Sequence, residues 1–450
     1  MIKKSINSFL SGHQRSVKAK KNIIASFFLK GISILINLIL IPLTIDYLNP
    51  TNFGIWITLT SIIAWFNYFD IGLGNGLRNK LAAAKAKGDI ELGQVYISTT
   101  YALITIIAVV FFILFTIINP FLNWGEIFNT TENLEELQKL VLIVFSVFCL
   151  QFIVKLINMI FIADQRPAMS NVINTTGSLL SLLAILVLIN TTDSSILYLG
   201  ATFSIINVVV PFAAGLWFFN TSYKHFKPSL KTIDFSYTKE LLGIGSQFFI
   251  LQGSILIVYL TDNLIITQVS GPEYVTPYNI AFKYFGIITI FFTIVTKPYW
   301  SAFTEAFLKN EISWIESAFR KVMKLWILSI GLVILMLFTS QFVYELWIGS
   351  EIEIPFLLSL VMAIYVVMAS NIMIFSNFLY GIGKIRLSLY HALFVGIINI
   401  PLSVYLAKNL ELGNVGVILA TCFGVLISMI IQPIQCYKII KGRATGIWNK

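Results

Sequence analysis

The sequence predicts an all-α polytopic membrane protein. It reads as twelve transmembrane helices in two pseudo-symmetric lobes of six, with both termini cytoplasmic. Three observations point there. The 450 residues are 57% hydrophobic and 12% charged, with a mean hydropathy of +0.84; a soluble domain carries about 25% charged residues. Apolar runs of membrane-crossing length recur along the whole chain. Lys and Arg gather in alternate connections between those runs.

The elements follow in order. Lys3, Lys4, Arg15, Lys18, Lys20 and Lys21 precede an apolar stretch from about Asn22 to Leu48. That stretch exceeds the roughly 7–15 residues of a secretory signal core, so it reads as the first transmembrane helix. In the leader, 1–21, Ile2, Ile6, Phe9 and Leu10 fall at helical spacing. Two readings stay open: an interfacial amphipathic helix or a disordered basic tail. A span needs about 20 apolar residues. Twelve stretches qualify: 22–48, 53–88, 92–119, 138–163, 168–190, 195–219, 241–268, 274–308, 313–340, 355–381, 385–407 and 413–440. At about 1.5 Å per residue, 53–88 and 274–308 exceed the hydrocarbon thickness and should tilt or project into water.

The basic residues set the orientation. With a cytoplasmic N-terminus, most of the 31 Lys and Arg residues fall on inner segments. The outer loop 120–137 carries Glu126, Glu132, Glu135 and Glu136, and 341–355 carries Glu345, Glu351 and Glu353, neither with a Lys or Arg. This is the positive-inside pattern. The net charge of +10 then reflects topology and attraction to anionic lipid, and calls for no nucleic acid.

The polar stretch 220–240, "NTSYKHFKPSLKTIDFSYTKE", reads as a cytoplasmic linker. It separates an N-terminal lobe, 22–219, from a C-terminal lobe, 241–440, with a cytoplasmic tail at 441–450. A shift of 222 positions lays Pro50 on Pro272 and Lys87-Gly88-Asp89-Ile90 on Lys309-Asn310-Glu311-Ile312, ungapped. Six helices per lobe make the repeats parallel.

Enzymes are excluded on residues. His13, His225 and His391 fall in a tail, a linker and a helix. No HExxH, metal spacing or GxxxxGK[ST] occurs, so no metal site and no ATPase cassette is expected. The outer loops are too short for an external catalytic domain. Cys149, Cys422 and Cys436 are far apart in apolar runs and read as packing residues.

Intramembrane polar groups are the candidate site. A charge at the bilayer centre costs at least about 2.5–3.5 kcal/mol, so it should face protein or a wet cavity. Ser26, Lys30, Ser33, Asn37 and Thr44 form one stripe on the first helix; Gln247, Ser254, Thr261 and Gln268 form another on the seventh, beside Asp262. Asp70, Lys155, Lys283 and Lys297 are further intramembrane charges, with Arg78 and Glu305 nearer the inner mouth. Snorkelling and internal pairing are the plainer readings of these charges. The functional reading is a transporter with a polar, net-cationic cavity between the lobes, suited to an anionic, phosphate-bearing substrate. An inside-negative potential assists outward movement of each negative charge by about 2.3 kcal/mol per 100 mV.

Gly72-x-Gly74-x-Gly76 follows a membrane helix rather than a strand, has the wrong third spacing, and sits in no βαβ unit, so it is no dinucleotide loop. Gly72, Gly74 and Gly76 are expected to form a hinge or tight packing point within one long helix.

The stretch Leu48–Asp89, "LNPTNFGIWITLTSIIAWFNYFDIGLGNGLRNKLAAAKAKGD", resembles the first outer turn, second helix and inner loop of Wzx-type polysaccharide flippases. These belong to the MOP superfamily with the MATE exporters and the lipid II flippases. "SGPEYVTPYNIAFKY" (Ser270–Tyr284) resembles the start of the second lobe. The resemblance implies a MATE-like fold and a multi-pass protein of the bacterial inner membrane. It would move an undecaprenyl-pyrophosphate-linked oligosaccharide, a unit of O-antigen (lipopolysaccharide), capsule or exopolysaccharide, to the outer leaflet by alternating access. A polysaccharide polymerase and a chain-length regulator are implied partners. No cofactor is expected beyond a coupling H+ or Na+. In that scheme Lys30, Lys155 and Lys283, with Arg78 and Lys297, attract pyrophosphate. Asn37, Asn67 and Asn75 hydrogen-bond sugar. Asp70, Asp262 and Glu305 are coupling acids or counter-charges. A MATE-type cation exporter and a non-transporting scaffold of the assembly complex remain the alternatives.

Overall fold

The computed structural model describes residues 14–66, 72–131, 133–164, 166–242 and 261–449. Within these the regular structure is helical, with no strand among the described residues. Among the described residues, ten helices are long and apolar enough to cross a membrane. They answer to ten of the twelve expected stretches. Of the other two, 241–268 lies largely outside the described residues, and 53–88 is divided. Instead of one long helix it holds α2 (Pro50–Phe66) and α3 (Leu73–Lys87). Gly72 takes a left-handed φ of 79° at the start of α3, a conformation no continuous right-handed helix contains. The first helix, α1 (Gln14–Leu48), reaches further back than expected. Residues 14–21 of the leader are therefore helical; the apolar positions Ile2, Ile6, Phe9 and Leu10 lie outside the described residues.

The chain packs as two compact units. The first comprises Met1–Asn49, Ile63–Ile127 and Thr131–Ile250; the second comprises Pro50–Ile62, Phe128–Thr130 and Leu251–Lys450. This division differs from the expected one at 50–62 and 128–130. The reason is local. Thr276 Oγ1 donates to the Pro50 carbonyl at 2.6 Å, Thr58 and Thr267 share a 2.8 Å hydroxyl bond, and Asn129 Nδ2 donates to the Thr267 carbonyl at 3.1 Å. Gly54 lets the backbones meet: a Cβ there would lie 1.8 Å from the Pro272 carbonyl oxygen.

In the first unit follow α4 (Ile90–Ile118), α5 (Leu134–Val154), α6 (Leu156–Ala163), α7 (Pro167–Thr191) and α8 (Ile196–Asn220). The K-G-D turn now has a physical account. Gly88, φ 74°, closes α3, and the Asp89 carboxylate caps α4 by accepting from Leu92 N–H at 3.0 Å. The core is aromatic: Phe66, Phe145 and Phe148 cluster, and Phe115 stacks on Phe145 at 3.9 Å. The linker 220–240 forms three short 3-10 turns stitched to α4. Ser98 bonds Thr232 at 2.8 Å, Asp234 N–H donates to Thr99 at 3.0 Å, and Gln94 donates to the Lys227 carbonyl at 2.9 Å.

In the second unit lie α9 (Asp262–Val269), α10 (Val275–Leu308), α11 (Ile312–Ile348), α12 (Phe356–Gly381), α13 (Arg386–Val404) and α14 (Gly413–Ile440). The 222-residue register reappears in backbone handedness. Asn49 (φ 72°) answers to Gly271 (φ 115°), each preceding a proline; Gly88 answers to Asn310 (φ 55°), each preceding an acidic residue that opens a helix. Phe303, Phe319 and Phe378 form the aromatic core of this unit, with ring centroids 5.1–5.5 Å apart.

Candidate functional site

In the first unit the polar stripe of α1 lies along α7. Thr175 Oγ1 donates to the Leu29 carbonyl at 3.1 Å, and Ser33 approaches Ser178 at 3.4 Å. Asn37 Nδ2 donates to the Ser33 carbonyl at 2.7 Å and reaches Ser178 at 3.5 Å. Thr44 is buried and bonds back to the Leu40 carbonyl. Part of the stripe is thus satisfied inside its own unit. Lys30 and Asn37 remain exposed on the unit's surface.

Lys155 stands at the joint between α5 and α6, half-buried, with Nζ 4.8 Å from the Phe152 ring centroid. Asn75 and Arg78 lie on α3, both half-buried, and Arg78 Nε donates to Asn79 at 3.2 Å. Asn67 and Asp70 fall outside the described residues. Gly74 and Gly76 are buried in the first turn of α3. A Cβ on Gly76 would sit 2.0 Å from the Leu241 carbonyl oxygen. The glycine run therefore combines a backbone reversal at Gly72 with a close backbone approach at Gly76.

One cluster in this unit escaped the sequence reading. Asp164 receives Lys85 Nζ, the Tyr223 hydroxyl at 2.8 Å and Arg166 Nε at 3.1 Å. Burial pushes the Asp164 carboxyl up, but Lys85, Tyr223 and Arg166 more than offset it and hold it below the usual carboxylate range. Burial and the Asp164 charge together raise the Tyr223 phenol. Nearby, Glu240 accepts from Lys80 at 2.6 Å and Tyr96 at 3.1 Å; the Lys80 bond is the main cause of its lowered pKa. These contacts fasten the linker to the first unit. The signal was hidden because Lys85 and Tyr223 lie 79 and 59 positions from Asp164.

In the second unit Asp262 opens α9 and is 4% exposed. Its Oδ2 accepts from the Tyr278 hydroxyl at 2.6 Å, and its Oδ1 is buried with no hydrogen-bond partner. The internal partner of this acid is a phenol on α10. The Thr421 hydroxyl lies beside the carboxyl, and Asn399 Nδ2 donates to Thr421 at 3.2 Å, leaving Asn399 Oδ1 without a partner. Alongside runs Asn279 to Asn263 at 2.8 Å and Asn263 to Ser61 at 2.8 Å. The carboxyl thus sits among neutral polar groups. Lys283 is half-buried on α10. Lys297 and Glu305 are on the same helix, their side chains outside the described residues. Among the described residues no group of three His, Cys, Asp or Glu is placed to hold a metal.

A second missed feature is the polar stripe of α14, where Thr421, Ser428, Gln432 and Gln435 are all buried. Their i, i+7, i+11, i+14 spacing was available as a signal. So was His391 on the facing α13, whose Nδ1 bonds Ser428 at 2.9 Å.

Helical units of this kind, studded with polar groups at membrane depth, define a polytopic membrane protein with the MATE transporter fold. The chain superposes on an inward-facing multidrug-resistance MATE transporter of the MOP superfamily with a TM-score of 0.78, at 15% identity, covering 94% of this chain and 98% of that one. A MOP-superfamily transporter from Pyrococcus furiosus gives 0.66 at 16% identity, over 95% and 97%. The chain belongs to the polysaccharide biosynthesis protein family, which matches residues 19–303. It is similar to a Yersinia pseudotuberculosis protein named for O-antigen export, 25% identical over 79% of this chain and 81% of that protein. It is also similar to a Salmonella typhi protein named as an O-antigen transporter, 23% identical over 62% and 63%.

Proposed function

We propose that the protein is a flippase of the bacterial inner membrane. Its cargo is an oligosaccharide repeat unit linked to undecaprenyl pyrophosphate, carried from the inner to the outer leaflet by alternating access. The family match over residues 19–303 carries this reading; the names of the relatives point to transport rather than catalysis. Lys30, Lys155 and Lys283 supply charge that the pyrophosphate can use. Ammonium groups bind phosphate as point charges, and do so most strongly where water is scarce.

Asp262 is the candidate coupling group. A buried carboxyl with one hydroxyl partner and one unpartnered oxygen is poised to hold a proton, or to meet a sodium ion together with neutral oxygens such as those of Asn399 and Thr421. Residues Lys297 and Glu305 keep their expected roles as a further attracting cation and a counter-charge. A polymerase and a chain-length regulator are proposed to receive the product.

The test is reconstitution in vesicles with a labelled lipid-linked oligosaccharide. Lys30→Ala combined with Lys283→Ala is expected to lower the flipping rate by about tenfold or more. Flipping that survives both changes would remove the cationic mechanism. Transport of organic cations without transport of the glycolipid would instead select a MATE-type exporter.

A further inference from the structure

The second unit contains a cavity of about 400 Å³ between α10, α12, α13 and α14 that no role so far uses. Its size falls within the range of small-molecule sites, about 300–1,000 Å³. No Lys, Arg, Asp or Glu lines it, so nothing there neutralises a phosphate or an ion. Yet three polar atoms of its wall are buried without hydrogen-bond partners: Ser388 Oγ, His391 Nε2 and Gln432 Oε1. Gln432 is 5% exposed. Each such group is costly to leave unpaired in the interior, so a ligand or water that pairs them is favoured. The imidazole is held in place by Ser428 on its Nδ1. Tyr365 and Tyr380 add aromatic rings to the wall.

Neutral hydrogen-bonding groups that both donate and accept, set beside aromatic rings in an otherwise apolar chamber, suit an uncharged molecule rich in hydroxyls. Ser388 and His391 lie in the first two turns of α13, just after Lys384 and Arg386. On the positive-inside pattern this is the cytoplasmic end, where cargo would be loaded. We infer that this cavity is a sugar-binding subsite, taking one neutral pyranose-sized residue of the oligosaccharide while the pyrophosphate binds cations elsewhere. The inference rests on the reading of the cargo as a lipid-linked oligosaccharide.

The probe is the oligosaccharide released by mild acid from the producing cell's lipid-linked intermediates, free of both lipid and phosphate. Its binding to the purified full-length protein is read by saturation-transfer NMR. The wild type is expected to bind it. Ala392→Phe, which fills the chamber, is expected to abolish binding. Gln432→Met, which keeps the volume and removes the amide, is expected to weaken it about tenfold. Monodisperse elution and an unchanged melting midpoint identify variants that remain folded, and Gln432→Met alone suffices if Ala392→Phe does not. Wild type that does not bind the free sugar overturns the inference, the cavity being a hydrated void. Binding left unchanged by both variants overturns it too, because the sugar then sits elsewhere. The flipping assay separates the two readings. Glycolipid flipping by the wild type without free-sugar binding removes the subsite and leaves the cargo assignment. Cavity-dependent sugar binding without any flipping removes the cargo assignment and leaves the subsite.

Discussion

Gly76→Ala tests the close packing of the glycine run. The added Cβ would stand 2.0 Å from the Leu241 carbonyl oxygen and 2.9 Å from its carbon. Ordinary contact begins near 3.4 Å, so one backbone must give by more than an ångström. Leu241 is fully buried and the contact is with its backbone, so no side-chain rotation absorbs the shift. Overpacking of this kind costs about 1–3 kcal/mol. Against it stands the better helix propensity of Ala, worth up to about 1 kcal/mol. The net effect is destabilising, and a fall of a few degrees in the melting midpoint of the detergent-solubilised protein is expected. Gly31→Ala is the control. It is also within a helix, and its Cβ meets nothing within 4 Å, so propensity alone acts and the midpoint holds or rises. Equal midpoints for Gly76→Ala and wild type would show that the α3–Leu241 contact is not tight, and the packing argument would fall.

The Lys85–Asp164–Tyr223 cluster is expected to couple. A double-mutant cycle with Lys85→Met and Asp164→Asn should give an interaction of about 1 kcal/mol, the pair being only partly screened. Because the Asp164 pKa is lowered on folding, this stability is present above the usual carboxylate pKa and is lost as pH falls through the lower folded value. Melting midpoints of wild type and Asp164→Asn should therefore differ steadily from neutral pH to about pH 5 and converge only in stronger acid; a gap that closes above pH 5 would contradict the assignment. Asp262→Asn preserves shape and can still accept from Tyr278. It is expected to leave binding of glycolipid in place and to abolish acceleration of flipping by an imposed proton or sodium gradient. A variant that still responds to the gradient would move the coupling site elsewhere.

The fold was legible because lipid imposes length and polarity on each helix. Ten apolar runs map onto ten long helices for that reason. The second run misled because apolarity does not report handedness: Leu73 continues the hydrophobic pattern while Gly72 reverses the backbone. The domain boundary at Pro50–Ile62 depends on Gly54 meeting Pro272, a contact between positions far apart in sequence. Within the site, burial costs singled out Asp262, but its partner Tyr278 is 16 positions away on another helix. His391 stood in the sequence as an ordinary helix residue because its partner Ser428 lies 37 positions away on α14.

The matched handedness of the two halves has a mechanical consequence. The same count of residues separates Asn49 from Gly88 and Gly271 from Asn310, although the first interval contains a broken helix and the second an unbroken one. No residue was added to make the break. At the position of Gly76 the second half carries Pro298. Each half thus places a helix-weakening residue at the same contour length, but of opposite kinds. The first half therefore meets this contour length with a chain reversed at Gly72 and pinned against Leu241 at Gly76, and the second half crosses it as one continuous rod.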